Sequence, residues 1–347
     1  MKLRALWALI AVFALIAAAC GDGETSDWPD TLVFGFVPSQ EVSELQDDVE
    51  TFAGILSDAL GIEVVGEVTT DYTALALAMG TGQADMGAFG PAGYVIASRQ
   101  YENLELLAQS VRFGDPTYHA QYFTNDPSIC GDAGTVEGAF YYDDAGNVVP
   151  VGPTETPALQ VGYEFVEDAL QRNEALSPPT ACAEPVDLSV VVGKTIAFVE
   201  ESSTSGFIFP TIELLNAGIT EDQYTTIFAG SHDGAVLAVY DGEADIGVSF
   251  DDARSTIADP NADVGERVIV FNISPRIAND VITVRSDLPE DLKDALFQAM
   301  SDFISTEEGQ VVMDELYQWT DLTRADEVTE QSLALIGDAI DELGYSE

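Results

Sequence analysis

Apolar residues along this chain recur in two alternating patterns: short, nearly continuous runs, and longer stretches with apolar positions three and four apart. Thr31–Val37 reads as a strand running into Pro38-Ser39. Val42–Leu60 reads as a helix, with Leu45, Val49, Phe52, Ala53, Leu56 and Leu60 on one face and Gly61 as its stop. Ile62–Val68 is the next strand. Asp71 caps a helix over Tyr72–Met79 that ends near Gly80 and Gly82. Ala84–Phe89 is a strand, Gly93–Arg99 a helix and Leu104–Ser110 a strand.

A second series opens at Thr195. Thr195–Val199, Thr225–Ala229 and Ala244–Phe250 read as strands, with helices Ser205–Ala217 and Asp233–Tyr240 between them. Arg267–Phe271 and Val281–Arg285 are further strands. Leu288–Ser305, Glu307–Tyr317 and Thr329–Leu343 are helical, and their apolar stripes need a partner, which the first lobe supplies. Strands alternating with helices imply parallel sheets.

The two series echo one another without a gap. Residues 71–87, from Asp71-Tyr72-Thr73 through Gly82-Gln83-Ala84-Asp85-Met86-Gly87, parallel residues 231–247, from Ser231-His232-Asp233 through Gly242-Glu243-Ala244-Asp245-Ile246-Gly247. Each copy has a capping residue, an apolar helix, a glycine stop and Ala-Asp-x-Gly opening a strand. Chance similarity between two strand–helix–strand units is the alternative to two lobes of one design. The echo sets Tyr72 and His232 at matching helix starts, one per lobe, where facing lobes would converge them on one cleft. The expected fold is α/β with two lobes, each a mostly parallel sheet flanked by helices. Residues 28–120 and 277–347 form the first lobe and 121–276 the second.

Composition adds limits. Apolar residues make up 46% of the chain, enough for a real core and too many for a disordered acidic tail. The formal charge of −49 argues against nucleic acid or an anionic lipid surface as partner, since phosphate backbones need Lys and Arg. A local pocket can still oppose the global field.

The N-terminus stands apart. Lys2 and Arg4 precede an apolar run, Leu6 to Ile16, then Ala17-Ala18-Ala19 and Cys20. This reads as a secretory signal, too short to span a membrane. The cysteine after the small residues resembles a bacterial lipobox, which implies removal of residues 1–19 and lipidation of Cys20. An ordinary signal peptide with a chance cysteine, or an N-terminal anchor helix, is the alternative. Residues 20–27 form a polar tether. The expected location is the outer face of the cell membrane, held by lipid without crossing it. Only Lys194 and Lys293 survive processing, which suggests a saline habitat, where the Debye length shrinks to about 3 Å at 1 M salt; a merely acidic exported protein is the alternative.

Export also permits a disulfide between Cys130 and Cys182, although two unpaired buried thiols fit as well. The segment between them is rich in Gly, Pro, Asp and Thr, with one short helical stretch expected around Tyr163–Leu170. It reads as an insertion over 126–190 stapled at its base, a closure worth about 4 kcal/mol in the chain-entropy model.

The strongest chemical signal is Glu201-Ser202-Ser203-Thr204-Ser205-Gly206, which follows a strand and opens a helix. Such a junction offers free N–H groups and the positive end of a helix dipole, three hydroxyls add donors, and Gly206 allows close approach. Plain capping is the alternative, but it needs one hydroxyl. His232 is one of two histidines and sits at a helix start, where its imidazole would donate to an oxyanion; a satisfied structural histidine is the alternative. His119 reads as structural. Pro38-Ser39, Tyr72, Phe89-Gly90-Pro91, Ser203–Ser205, Ser231-His232 and Asp251-Asp252 all fall at strand carboxyl ends, where open α/β sheets bind ligands.

At this point the chain resembles the phosphonate/phosphite-binding proteins of ABC importers, the PhnD-like family. The resemblance rests on Phe34-Gly35-Phe36-Val37-Pro38, Thr70-Asp71-Tyr72, Gly82-Gln83-Ala84-Asp85 through Phe89-Gly90-Pro91, and Gly193-Lys194-Thr195-Ile196-Ala197-Phe198-Val199. It continues through Ser203-Thr204-Ser205-Gly206 with Pro210, Ala229-Gly230-Ser231-His232-Asp233, Gly242-Glu243-Ala244-Asp245, and Asn279-Asp280 before Val284-Arg285. The resemblance implies a type II periplasmic-binding-protein fold with its ligand between the lobes, working with an ABC permease and no cofactor or metal. It implies that Ser203, Thr204, Ser205 and His232 hold phosphonate oxygens, that Tyr72 and Phe89 line the cleft, and that Asp280 faces the ligand. Asp252, with Asp251 as a register alternative, would help hold an ammonium; surface acidity is the competing account. Where some relatives carry a tyrosine before the glycine, this chain has Phe89, and the stapled insertion is also a departure.

A dianion approaching so negative a chain is repelled at long range, so binding must come from short-range donors in a dry cleft. An aminoalkylphosphonate, being a zwitterion, suffers less, while a protonated phosphite would donate its P–OH to Asp280. Three rival readings remain. One is the same fold binding phosphate or another small organic anion. Another is a ligand-sensing lipoprotein. The third is an enzyme using His232 with Ser203 or Ser205, against which stand the missing Gly-x-Ser-x-Gly elbow, metal-pairing histidine and nucleophilic cysteine.

Overall fold

The structure is a computed structural model that describes residues 28–112, 114–142, 148–151, 163–166, 169–172 and 180–344. The signal segment, Cys20 and the tether lie outside the described residues, as does much of the Cys130–Cys182 insertion. Among the described residues no helix is long and apolar enough to cross a membrane.

Two sheets organise the chain. The first runs in spatial order 321–324, 104–111, 281–285, 86–89, 31–36, 63–68. The second runs 225–228, 195–198, 246–250, 120–124, 269–273, 180–182, 135–137. The strand–helix–strand units pair in parallel, 31–36 with 63–68 and 86–89, and 195–198 with 225–228 and 246–250. The expectation of mostly parallel sheets is corrected: both are mixed. In each lobe a strand arriving from the other lobe is inserted antiparallel into the middle of the sheet. Val281–Arg285 does so between 86–89 and 104–111, and Ala120–Thr124 between 246–250 and 269–273. A chain that leaves a lobe along one strand and returns along its neighbour must reverse direction. Between the sheets the two crossings pair as a short antiparallel ribbon, Thr117–Tyr118 against Ile277–Ala278.

The helices form where their apolar stripes predict. Val42–Leu60 buries Leu45, Val49, Phe52 and Leu56 and ends at Gly61, whose φ of 70° only glycine adopts freely. Its stripe meets Phe34, Phe36 and Phe303 in the core of the first lobe, which the helices Glu290–Ile304 and Glu307–Leu316 complete. The last helix, Glu327–Leu343, lies on Pro91–Gln100, where Arg99 reaches Asp341 at 2.9 Å. The C-terminal helices thus pack on the first lobe, as their stripes require.

The insertion differs from its sequence pattern. Its base is sewn into the second sheet by 135–137 and 180–182, and the Cys130 and Cys182 sulfurs lie at bonding distance with Cα atoms 5.2 Å apart. The helix expected around Tyr163–Leu170 is an antiparallel hairpin, with Phe165 opposite Leu170 and Val166 opposite Ala169. Tyr163, Phe165 and Val166 are aromatic or β-branched and favour a pleated surface, and so short a stretch carries no helical stripe to override them. Asp321–Arg324, an edge strand, had no apolar pattern to announce it.

One buried acid sets a pH dependence. Tyr122, on the inserted strand of the second lobe, donates to Glu213 on helix Phe209–Asn216 at 2.6 Å. Burial pushes the Glu213 carboxyl up to about 7, with the tyrosine hydrogen bond opposing. A carboxyl raised in the folded state contributes stability that is complete below its unfolded pKa and is lost as pH rises through the folded value. Glu213→Gln is therefore expected to melt with wild type near pH ~4 and above it near pH ~8.5. A melting difference that is constant across that range would refute the assignment.

Candidate functional site

The internal echo is structural down to single hydrogen bonds. Asp85 accepts from Val33 N at 2.9 Å, and Asp245, its counterpart, accepts from Thr195 N at 2.8 Å. Each aspartate ties the start of its own strand to the neighbouring strand. Asp71 caps the first-lobe helix by accepting from Ala74 N, and Ser231 caps the second by accepting from Gly234 N. Tyr72 and His232 follow these caps as first helical residues, and both line one cavity of about 280 Å³ between the lobes. That is the small end of the range for ligand sites.

Tyr72, Phe89, Ser203, Thr204, Ser205, His232 and Asp280 all border this cavity. His232 is buried with its Nδ1 2.7 Å from Ser249 Oγ and its ring edge-on to Phe250. Burial, assisted by the Arg112 charge, lowers its pKa to about 3, so the imidazole is neutral at ordinary pH. In the tautomer whose Nδ1 accepts from Ser249, Nε2 carries the proton and is the donor left for a ligand. Burial raises the Asp280 carboxyl, opposed by Arg112 and by Trp319, whose indole N–H donates to it at 3.3 Å. The Tyr72 hydroxyl is buried without a hydrogen-bond partner.

The hydroxyl segment forms a wide first turn. Ile208 N donates to Ser203 O at 3.0 Å, five residues back, and the regular helix begins at Phe209. Such π-type turns recur at functional sites. Ser203 Oγ accepts from Gly206 N. Gly206 is needed for packing and not for ligand approach: a Cβ there would sit 2.4 Å from Val199 Cγ2 and 2.7 Å from Ser203 Oγ. Thr204 Oγ1 reaches across the cleft and accepts from Ala92 N at 2.9 Å. His232 N likewise donates to Ser39 O at 3.0 Å. These two bonds join the lobes.

Asp252 is a correction. It is absent from the cavity wall and faces Arg254, whose Nη2 lies 2.6 Å from Asp252 Oδ2 with both side chains buried. Arg254 in turn donates to the carbonyls of Thr180 and Val268. The pair is an internal strut, and an ammonium would have to displace a guanidinium. Asp251, the register alternative, accepts from His119 N, and it too lies off the wall. Sequence reasoning missed Arg112, Tyr118, Tyr317, Gln318 and Trp319, all of which border the cavity. Arg112 had one signal: it directly follows the strand Leu104–Val111, at the point where the chain leaves the first sheet, in a chain with few cations.

Comparison with known proteins agrees with this geometry. The family model for the periplasmic phosphonate substrate-binding protein of ABC transporters matches residues 34–329. A phosphate-import protein, PhnD, of Mycolicibacterium smegmatis is 24% identical over 268 residues, covering 72% of this chain and 67% of that protein. The solved structure of PhnD1 from Prochlorococcus marinus in complex with methylphosphonate is similar in fold, with a TM-score of 0.67 at 18% identity, over 91% of this chain and 99% of that one. A binding component of a phosphonate transporter from Pseudomonas aeruginosa gives 0.65 at 17% identity, over 90% and 86%. The chain belongs to the periplasmic substrate-binding proteins of phosphonate ABC transporters, whose work is capture and not turnover.

The Asp252 strut makes its own prediction. Asp252→Asn leaves a buried guanidinium without its charge partner, a loss of about 3–5 kcal/mol in folding stability. The apo protein should melt markedly lower, with aminated and non-aminated ligands affected alike. An unchanged apo melt combined with selective loss of aminated ligands would return Asp252 to the site.

Proposed function

We propose that this protein captures a phosphonate-type oxyanion, an aminoalkylphosphonate or phosphite, in the closed cleft and delivers it to an ABC permease. The observation that carries the reading is the convergence of Ser203, Thr204, Ser205 and His232 from one lobe on Tyr72 and Asp280 from the other, around one small cavity. In this reading the hydroxyls and the His232 Nε2–H hold the oxyanion, in a partly dry space where charge-assisted hydrogen bonds are strong. Thr204 takes a double part. Its hydroxyl oxygen accepts from Ala92 N, and its proton is free to go to the ligand. Ligand capture and lobe closure then share one side chain. Asp280 accepts from a protonated ligand oxygen or an ammonium, and Phe89 provides an apolar wall.

Two observations favour a second reading, phosphate or another non-aminated anion in the same cleft. Asp252 is committed to Arg254, which removes a carboxylate from the ammonium account, and Arg112 places a cation on the wall. A thermal-shift screen in high salt separates the readings, using aminoethylphosphonate, methylphosphonate, phosphite and phosphate. Binding raises the melting temperature by mass action. His232→Ala should abolish the shift, with an apo melt lowered by the lost Ser249 bond and Phe250 contact. Ser203→Ala should also abolish it, at a cost of about 1 kcal/mol for the lost cap. Full affinity in both variants would refute the site, and no shift with any of the four anions would refute the function.

Export supports the further reading that the mature protein is anchored through lipidated Cys20 and carries a Cys130–Cys182 disulfide. Mass spectrometry of the protein from its native membrane should find a diacylglyceryl mass on Cys20 and one intact 130–182 linkage. An unmodified Cys20 or two free thiols would refute the corresponding part.

A further inference from the structure

Every basic side chain that the structure describes, with one exception, lies within 4 Å of a carboxylate. Arg99, Lys194, Arg254, Arg267, Arg276, Arg285, Lys293 and Arg324 are all so paired. With 61 acidic residues against 12 basic ones, such pairing is what chance and Coulomb attraction both favour. The exception is Arg112. It is 94% buried by its 6% exposure, it borders the interlobe cavity, and its partners are neutral. Gln318 Oε1 and the Asp251 carbonyl accept from its Nη2. The rings of Phe250 and Tyr118 stand 4.8 and 5.7 Å from its Cζ. Its Nε has no hydrogen-bond partner.

A guanidinium taken out of water without a counter-charge is costly, and buried charges are normally paired. Here neutral groups make its hydrogen bonds, and Asp280, whose carboxyl feels its charge from the same cavity wall, lies beyond ion-pair distance. Gln318 is held for this task in a left-handed backbone conformation, φ 57°, which disfavours side chains other than glycine and Asn. Phe250 touches both Arg112 and His232, its ring 4.8 Å from each, so the charge stands beside the proposed oxyanion donors. The missing partner is then a ligand charge.

We propose that Arg112 is a specificity-determining residue that makes the cleft select doubly charged over singly charged tetrahedral oxyanions. The inference rests on the oxyanion-capture reading above and adds the charge class of the ligand. Neutral donors such as Ser203, Ser205 and His232 recognise the tetrahedral shape shared by both classes. A fixed cation separates one negative charge from two more strongly than a neutral dipole at the same distance does, because its interaction with each added ligand charge is larger.

The test compares two near-isosteres at pH ~9, methylphosphonate as dianion and methanesulfonate as fixed monoanion, by calorimetric titration. Wild type should prefer methylphosphonate. Arg112→Gln should weaken methylphosphonate about a hundredfold and shrink the preference at least about tenfold, while Arg112→Lys keeps most of it. Gln318→Ala, which frees the guanidinium without removing it, should weaken methylphosphonate more than methanesulfonate, and it keeps the test open if Arg112→Gln misfolds. A preference unchanged in Arg112→Gln, or in Gln318→Ala where the former does not fold, would overturn this inference alone and assign discrimination to Asp280. Wild type binding neither anion would overturn the capture reading and this inference with it.

Discussion

Water exclusion is the constraint on which the site depends. A chain with a net charge of −49 repels anions at every distance beyond a few ångströms in dilute salt, so the attraction must be short-ranged and local. Hydrogen bonds and single charges become strong enough only where the dielectric is low. Two of the bonds that join the lobes, Ala92 N to Thr204 and His232 N to Ser39, hold the cleft closed over its own donors. Both involve residues at helix starts. In each lobe the end that borders the cavity also meets the opposite lobe, so the contacts that close the cleft and the residues that line it lie at the same helix starts.

Much of this was legible in the sequence because it rests on local rules. Val42–Leu60 and Val281–Arg285 begin and end where their patterns place them, since apolar periodicity and glycine stops act within one element. The echo located Tyr72 and His232 together because a repeated capping residue, helix and Ala-Asp-x-Gly strand is a repeated three-dimensional unit. The antiparallel insertion of 120–124 and 281–285 was not legible. It depends on where a chain returns from another lobe, and no local pattern encodes that.

The errors share a cause. Asp252 was placed in the site because it follows a strand's carboxyl end, and such a position does face a cleft in an open α/β sheet. What withdraws it is Arg254, two residues on, which turns the carboxylate inward to a bidentate pair. Arg112 was overlooked for the complementary reason. A lone arginine at a strand end carries no motif, and its importance lies in the lack of a carboxylate that only the folded arrangement reveals. Charge pairing is a three-dimensional property, and in a chain this acidic, sequence gives almost no information on which acid meets which base.

Arg254 and Arg112 thus show one physical rule with two outcomes. Arg254, fully buried, is compensated by Asp252 and by carbonyl oxygens, and it braces the second lobe. Arg112 is held by an amide, a carbonyl and two aromatic faces, and its charge stays available. That availability already has a consequence inside the protein: it helps keep His232 neutral. A neutral imidazole costs less to bury than an imidazolium and still offers one N–H. The cavity wall thus carries its positive charge on Arg112, beside a histidine kept neutral. In the capture reading proposed above, this division lets a strongly acidic protein hold an anion in a dry cleft, where a charge and its hydrogen-bond donors are strongest.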